Sequence, residues 1–388
     1  MKRTSRESSL MVAVAMACLI AVPSWADTPS CRDWTHWRGG GEQTGYRDCE
    51  IPAVPKLAWE FSVDDAFSAA AVIADGVIYV GSEEGTLYAV GLRDGKVRWK
   101  FEEPEIIQAA PSVCGDRVYV GDDMGTMFAV DRKTGKKIWS FESKGEIISA
   151  ATCAGDRLVF GSYDGFVYCL STDGKQLWKL ETGGRVHGTP AVFDGRVAAA
   201  GCDEYLHVVE LASGKSIAKV SMGSVSGAST AVIGDRAYVG TYGNQVLGVD
   251  MKAQKVLWRF EDPDRQFPFM SSAAVAQGTL VIGGRDKFVR ALSLSDGKAR
   301  WAIRTKGRVD GSPVIVRDKV LVGSGDGVLY QFNLSDGKET WRFDTGSSLS
   351  ASPAVADGFI VIGSLDGVLY AFADAKDVPP KKSEQPNP

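Results

Sequence analysis

Seven tryptophans recur along the chain at nearly constant spacing. They are Trp59, Trp99, Trp139, Trp178, Trp258, Trp301 and Trp341, with Ala218 where an eighth belongs, and the successive intervals are 40, 40, 39, 40, 40, 43 and 40 residues. A period near forty, with β-type segments and one aromatic per unit, marks a propeller array. A second landmark follows each slot after 22 to 25 residues: Gly81, Gly121, Gly161, Gly201, Gly240, Gly283, Gly323 and Gly363. The chain therefore holds eight units.

Within residues 68–101, four short runs rich in Val, Ile, Tyr and Phe are divided by turns at Asp75-Gly76, Glu84-Gly85 and Asp94-Gly95. Such a pattern is a four-stranded antiparallel meander. Its first strand is small and apolar, as crowding toward an axis requires, and its tryptophan falls on the outermost strand. The eighth unit stops before its fourth strand, while Leu57 to Phe61 is a fourth strand with no unit before it. Pairing the two removes the open sheet edges. The expected fold is all-β: an eight-bladed β-propeller of four-stranded antiparallel blades, closed by an N-terminal strand completing the last blade. The vacancy at Ala218 makes blade 5 the most loosely stapled.

The first residues carry Lys2, Arg3 and Arg6, then an apolar stretch from Leu10 to Val22, then Ser24 and Ala26 at the small positions of a cleavage site. This is the form of a secretory signal, too short for a retained membrane span. The expected organisation is a signal over 1–26 cleaved after Ala26, a lead-in over 27–56, the propeller over 57–374, and a disordered Pro- and Lys-rich tail over 375–388. Lipidation at Cys18 is the competing reading of the signal. Location is then periplasmic or secreted, with the protein at most peripheral to a membrane and monomeric. A net charge of −4 without like-charge runs excludes a nucleic-acid partner. Six cysteines remain after the signal, an even number for an oxidising compartment. Cys31 and Cys49 flank the lead-in and are the expected disulfide. Cys169 and Cys153 take apolar strand positions, and Cys114 and Cys202 lie near turns, free or paired.

The stretch from Ala129 through Asp131, Thr134 and Gly135 to Trp139 resembles the tryptophan-docking repeat of the pyrroloquinoline quinone (PQQ) propeller superfamily, with variants at 291–301 and 331–341. The lead-in from Trp34 to Gly39 is similar to that of secreted BamB-like propellers. The resemblance implies either an exported non-enzymatic binding scaffold with a protein partner in the cell envelope, or a quinoprotein dehydrogenase with PQQ and calcium. The second alternative demands adjacent cysteines, which the chain lacks, and a tryptophan floor. Of the ten tryptophans seven belong to the ladder, Trp25 leaves with the signal, and Trp34 and Trp37 belong to the lead-in, so none is obviously left for a floor. The expectation is thus no catalytic residue, no bound metal and no cofactor, with PQQ and calcium as the alternative.

Only His36, His187 and His207 are present, and none has metal-ligand spacing. What remains is binding. Two loops depart from their sisters in parallel, placing Arg185 and His187 before blade 4 and Arg308 and Asp310 before blade 7. They are read either as a pore-mouth site for a carboxylate-bearing ligand or peptide, or as inter-blade ion pairs. The three-residue expansion after Trp258 carries Phe267 and Phe269, either a partner-docking knob or a plug in the channel.

Overall fold

The computed structural model describes residues 31–378. The expected signal, its cleavage point and Cys18 lie outside the described residues, as do residues 379–388. The propeller contains eight sheets in chain order. Blades 1 to 7 span residues 72–101, 112–142, 152–181, 191–221, 231–261, 274–304 and 314–344. Blade 8 combines residues 354–373 with Lys56–Ser62, which pairs antiparallel to Val368–Ala373 with Leu57 opposite Phe372 and Phe61 opposite Leu369. The closure expected from the sequence is present. The expected tail begins with a short 3-10 turn, Ala375–Asp377, capped by the Asp374 side chain.

The tryptophans reach across blade boundaries because of a bulge. In every blade the register of the third and fourth strands skips the residue before the tryptophan slot, as between Lys137 and Trp139. A bulge re-aims the side chain that follows it. Six indoles donate to the next blade: Trp59 to the Leu92 carbonyl, Trp99 to Arg132, Trp139 to Thr172, Trp178 to Leu211, Trp258 to Leu294 and Trp301 to Leu334, at 2.8–3.0 Å. The ring lies on a left-handed turn glycine; a Cβ on Gly135 would stand 2.7 Å from Trp99 and one on Gly214 2.7 Å from Trp178.

The vacant slot tests that logic within the chain. Ala218 keeps the bulge and is buried in one core cluster with Met251, against which Val256 packs. The turn that an indole would cover carries Gln254 at φ 52° in place of glycine. Glycine is dispensable where no ring presses on the turn.

The second landmark has its own cause. Except before blade 5, where the position is Ser226, the loop entering each blade drives an apolar side chain against the glycine ending the second strand of the blade before it. A Cβ on Gly81 would meet Ile107 at 2.2 Å, on Gly161 Val186 at 2.4 Å, on Gly363 Phe67 at 2.5 Å and on Gly240 Phe269 at 2.8 Å.

The lead-in threads the axis. Its carbonyls accept from the inner strand of blade after blade: Trp34 from Ile73, Thr35 from Val113, Gly41 from Val192, Glu42 from Val232, Thr44 from Val275 and Gly45 from Ile315. Cys31 does the same for Asp357, and Tyr46–Arg47 forms a parallel strand against Val314–Val316. Blade 3 is met by side chains instead, the Gln43 amide donating to Thr152 Oγ1 at 3.1 Å.

The structure pairs other cysteines than the expected ones. Cys31 and Cys49 are free thiols. Cys31 donates to the Asp48 carbonyl at 3.3 Å, while burial and the neighbouring Cys31 push the Cys49 thiol up to about 12. The bridge joins Cys114 and Cys153, whose Cα atoms are 6.4 Å apart. They stand on adjacent inner strands, where the blades converge, and that approach is not visible in sequence spacing.

Two outcomes follow. A chain beginning at Ser68 lacks the outer strand of blade 8 and the axial segment, and is expected to lose cooperative unfolding; a monodisperse, cooperatively melting product overturns the closure argument. Replacing Gly135 by Gln is expected to destabilise the wild type strongly and the Trp99→Ala variant much less, with a coupling of about 1–3 kcal/mol in urea unfolding.

Candidate functional site

The loops between strands two and three, and those between blades, share one face. At its centre lies a cavity of about 170 Å³. Its walls are built by one repeated position per blade. Five blades supply a hydroxyl that accepts the backbone N–H of the preceding blade: Thr189 from Ala150, Ser229 from Thr189, Ser272 from Ser229, Ser312 from Ser272 and Ser352 from Ser312, at 2.8–3.0 Å. The remaining positions are Ala70, Ala110 and Ala150, an apolar patch against which Trp37 packs. The Trp37 indole donates to Ser229 Oγ at 2.9 Å across the axis. Three of the eight positions are apolar and hold the indole, while five carry hydroxyls.

Trp37 corrects the sequence expectation that no tryptophan could floor the channel. The lead-in is outside the repeats in sequence but inside the propeller in space, and this brings Trp37 into the cavity wall. The hydroxyl ring was also missed. Aligning the repeats at Thr189, Ser229, Ser272, Ser312 and Ser352 would have found it.

The candidate polar residues separate into two groups. His187 and Asp310 both line the cavity. His187 Nδ1 lies 2.6 Å from the Tyr163 hydroxyl, and the Arg185 guanidinium stacks 5.1 Å from the Tyr163 ring centroid. Burial pulls His187 below its ordinary value of 6.5 and pushes Tyr163 up to about 12. Asp310 is bound on both oxygens: Arg285 Nε reaches Oδ1 at 2.8 Å, and Arg308 Nε reaches Oδ2 at 2.9 Å. The bond to Asp310 raises Arg285. Of the two sequence readings, the ion-pair one describes Asp310, with Arg285 as the partner that sequence missed. Arg308 remains 59% exposed at the rim.

The expanded loop is neither wholly knob nor wholly plug. Phe269 takes the buried wedge position that Phe67 occupies elsewhere, at 3% exposure, with Phe260 edge-on to it. Met270 lines the cavity, and Phe267 is 50% exposed. The loop is fixed by Asp262, which accepts from the buried Arg290 at 2.7 Å. This pair holds Asp262 below its ordinary value against the opposing effect of burial.

The signature of the family described as outer membrane protein assembly factor BamB matches residues 55–162, 144–215, 203–301 and 285–377, which covers every blade. The chain belongs to the BamB family. Among solved structures, BamB from Moraxella catarrhalis aligns over 83% of this chain and 98% of its own, with a TM-score of 0.71 and 19% identity. Quinohemoprotein alcohol dehydrogenase from Comamonas testosteroni aligns over 94% of this chain and 83% of its own, with a TM-score of 0.76 and 14% identity. At such identities the likeness is one of fold. Quinohemoprotein alcohol dehydrogenase ADH IIB of Pseudomonas putida is 26% identical over 149 residues, which are 34% of this chain and 21% of that protein. The chain thus spans a minor part of that relative. No helix among the described residues is long and apolar enough to cross a membrane.

With three histidines in the chain, His187 can be followed by NMR. Its midpoint is expected below pH 6.5. The fold holds the neutral ring, so the associated stability is complete above pH 6.5 and is lost as pH falls through the lowered value. A midpoint at or above 6.5 contradicts the enclosed site.

Proposed function

We propose that this BamB-family propeller is an exported binding scaffold that takes a protein partner on the face holding the channel mouth. The carrying observation is that five of the eleven large apolar side chains exposed among the described residues stand together on the loops of that face, the other six being Val54 in the lead-in, Val97, Ile138, Leu177 and Ile217 on outer strands and Ile233 on an inner strand. Ile106, Met124, Tyr242, Phe267 and Leu365 are 37–68% exposed, and all stand on inter-blade or second-to-third-strand loops of that one face. Arg185 and Arg308 stand among them. Exposed aromatic, methionine and arginine side chains are the composition of a protein interface. The envelope location rests on the sequence's signal-like start and on family membership.

One observation favours the alternative of a quinone cofactor, namely Trp37 as a channel floor. The remaining residues do not fit PQQ with calcium. Calcium takes roughly 6–8 oxygen ligands, with carboxylates among them. Asp310 is the one carboxylate in the cavity wall, and both its oxygens are committed to arginines. No adjacent cysteine pair exists in the sequence to cover the opposite face.

Capture from envelope extract is the test. Met124→Glu with Phe267→Glu, and separately Arg185→Glu with Arg308→Glu, are expected to lower partner recovery at least about tenfold, the loss of roughly 1.4 kcal/mol of binding. Both are expected to leave the melting temperature unchanged. Unchanged recovery in both variants rejects this face. Calorimetry with PQQ and calcium decides the alternative, and saturable binding with dye-linked alcohol oxidation would establish it.

A further inference from the structure

A second cluster lies where the lead-in passes blades 2 and 3. Among the described residues one group of three potential metal ligands converges: His36 with Cys114 and Cys153, their ligating atoms all within 4.8 Å of one another. The two sulfurs come from adjacent inner strands and are joined in the disulfide. The imidazole comes from the lead-in, just before the 3-10 turn Trp37–Gly39.

The imidazole is held as metal-binding histidines are held. Its Nδ1 lies 2.8 Å from Thr35 Oγ1, which orients the ring. Its Nε2 is enclosed and has no hydrogen-bond partner. Unpaired buried ring nitrogens are rare, because the group loses water without compensation. Each of the three residues keeps partial exposure, which gives an ion a way in.

We propose that His36, Cys114 and Cys153 form a redox-gated site for a thiophilic d10 ion, copper(I) or zinc(II). Thiolate sulfur and imidazole nitrogen are the donors such ions prefer. The bridged form has no thiolate to offer. Exchange with a reduced dithiol opens it: that dithiol delivers two electrons and two protons, becomes a disulfide itself, and leaves two thiols on the protein. The ion then displaces the two thiol protons to solvent and bonds to Sγ of Cys114, Sγ of Cys153 and Nε2 of His36. Copper(I) is satisfied by three such ligands, whereas zinc(II) completes four with a water. Exchange with an oxidised dithiol carrier reverses this: the carrier's disulfide takes up the two electrons, and two protons from solvent, the Cys114–Cys153 bond re-forms, and the ion is released. The site therefore reports the thiol-disulfide state at the point where the lead-in meets blade 3 through side chains.

The test uses the full chain with Cys31→Ser and Cys49→Ser, so that the other thiol pair cannot compete. The protein is reduced with a water-soluble phosphine without oxygen, exposed to copper(I) or zinc(II), desalted, and assayed for metal by mass spectrometry. One ion per reduced chain and none per oxidised chain is expected. Retention of copper alone or zinc alone supports the proposal and identifies the ion. His36→Gln leaves both thiols in place and is expected to weaken binding beyond the roughly 10–100-fold carried by outer-shell partners. Cobalt(II) gives a second readout: a thiolate-to-metal absorption band present in the reduced protein and absent after Cys114→Ser. A folded, reduced protein that retains no ion overturns the proposal, as does unchanged affinity in His36→Gln. Should Cys114→Ser fail to fold, the His36→Gln comparison carries the decision.

Discussion

The constraint on which the rest of this molecule depends is the inner edge of each blade. Eight sheets around one axis leave eight innermost strands without a partner on the side facing the axis, and a buried backbone N–H without an acceptor is costly. The chain answers with backbone. Carbonyls of residues 31–45 accept from six of the eight inner strands and from Asp357 in the turn after a seventh, and Tyr46–Arg47 adds a short parallel strand at blade 7. Because the acceptors are carbonyls, the segment needs little side-chain identity to run this course. Its side chains are then free for other uses, and Trp37, His36 and Gln43 each serve one.

Between blades the constraint is steric. The indole bonds and the glycines beneath them form one unit: the ring needs a turn without a Cβ, and the turn tolerates one wherever the ring is missing, as Ala218 and Gln254 show. The wedge residues and strand-end glycines form a second unit nearer the axis. Six of the eight blades are thus fastened twice to their successors, and blade 4, which carries Ala218, has neither fastening toward blade 5. The loops above these fastenings are held on rigid supports, and that is where Arg185, Arg308 and Phe267 stand. Asp262 illustrates the point, since a three-residue expansion stays ordered through its pair with buried Arg290.

The fold was legible in the sequence because it is periodic. Tryptophan spacing counted the blades, and the orphan strand around Trp59 disclosed the closure. Part of the site was legible too: misfits among aligned repeats marked His187 and Asp310, which do face the same cavity. The rest was hidden because non-periodic residues carry it. Nothing in the residues from Trp34 to Gly45 says that they circle an axis, so Trp37 was assigned to an outlying segment. Cysteine pairing was hidden for a related reason. Cys31 and Cys49 are near in sequence and near in space without being bonded, whereas Cys114 and Cys153 meet only because inner strands converge. Arg285, the true partner of Asp310, sits in an ordinary turn of its own blade and carries no mark of its role.

A threaded axis also bears on where this protein can act. In an open propeller both mouths and the channel between them are available to ligands. Here the lead-in crosses the channel at the level of the inner strands, and the indole of Trp37 stands in the wall of the cavity. On the proposed reading, the exposed apolar and arginine side chains around that cavity are what a protein partner would meet. The same threading joins the two halves of the molecule chemically. His36 and Trp37 are neighbours, one beside the cysteine bridge and one beneath the cavity. Blade 3 is met through the Gln43 side chain, whereas backbone carbonyls of the segment accept from the other seven blades.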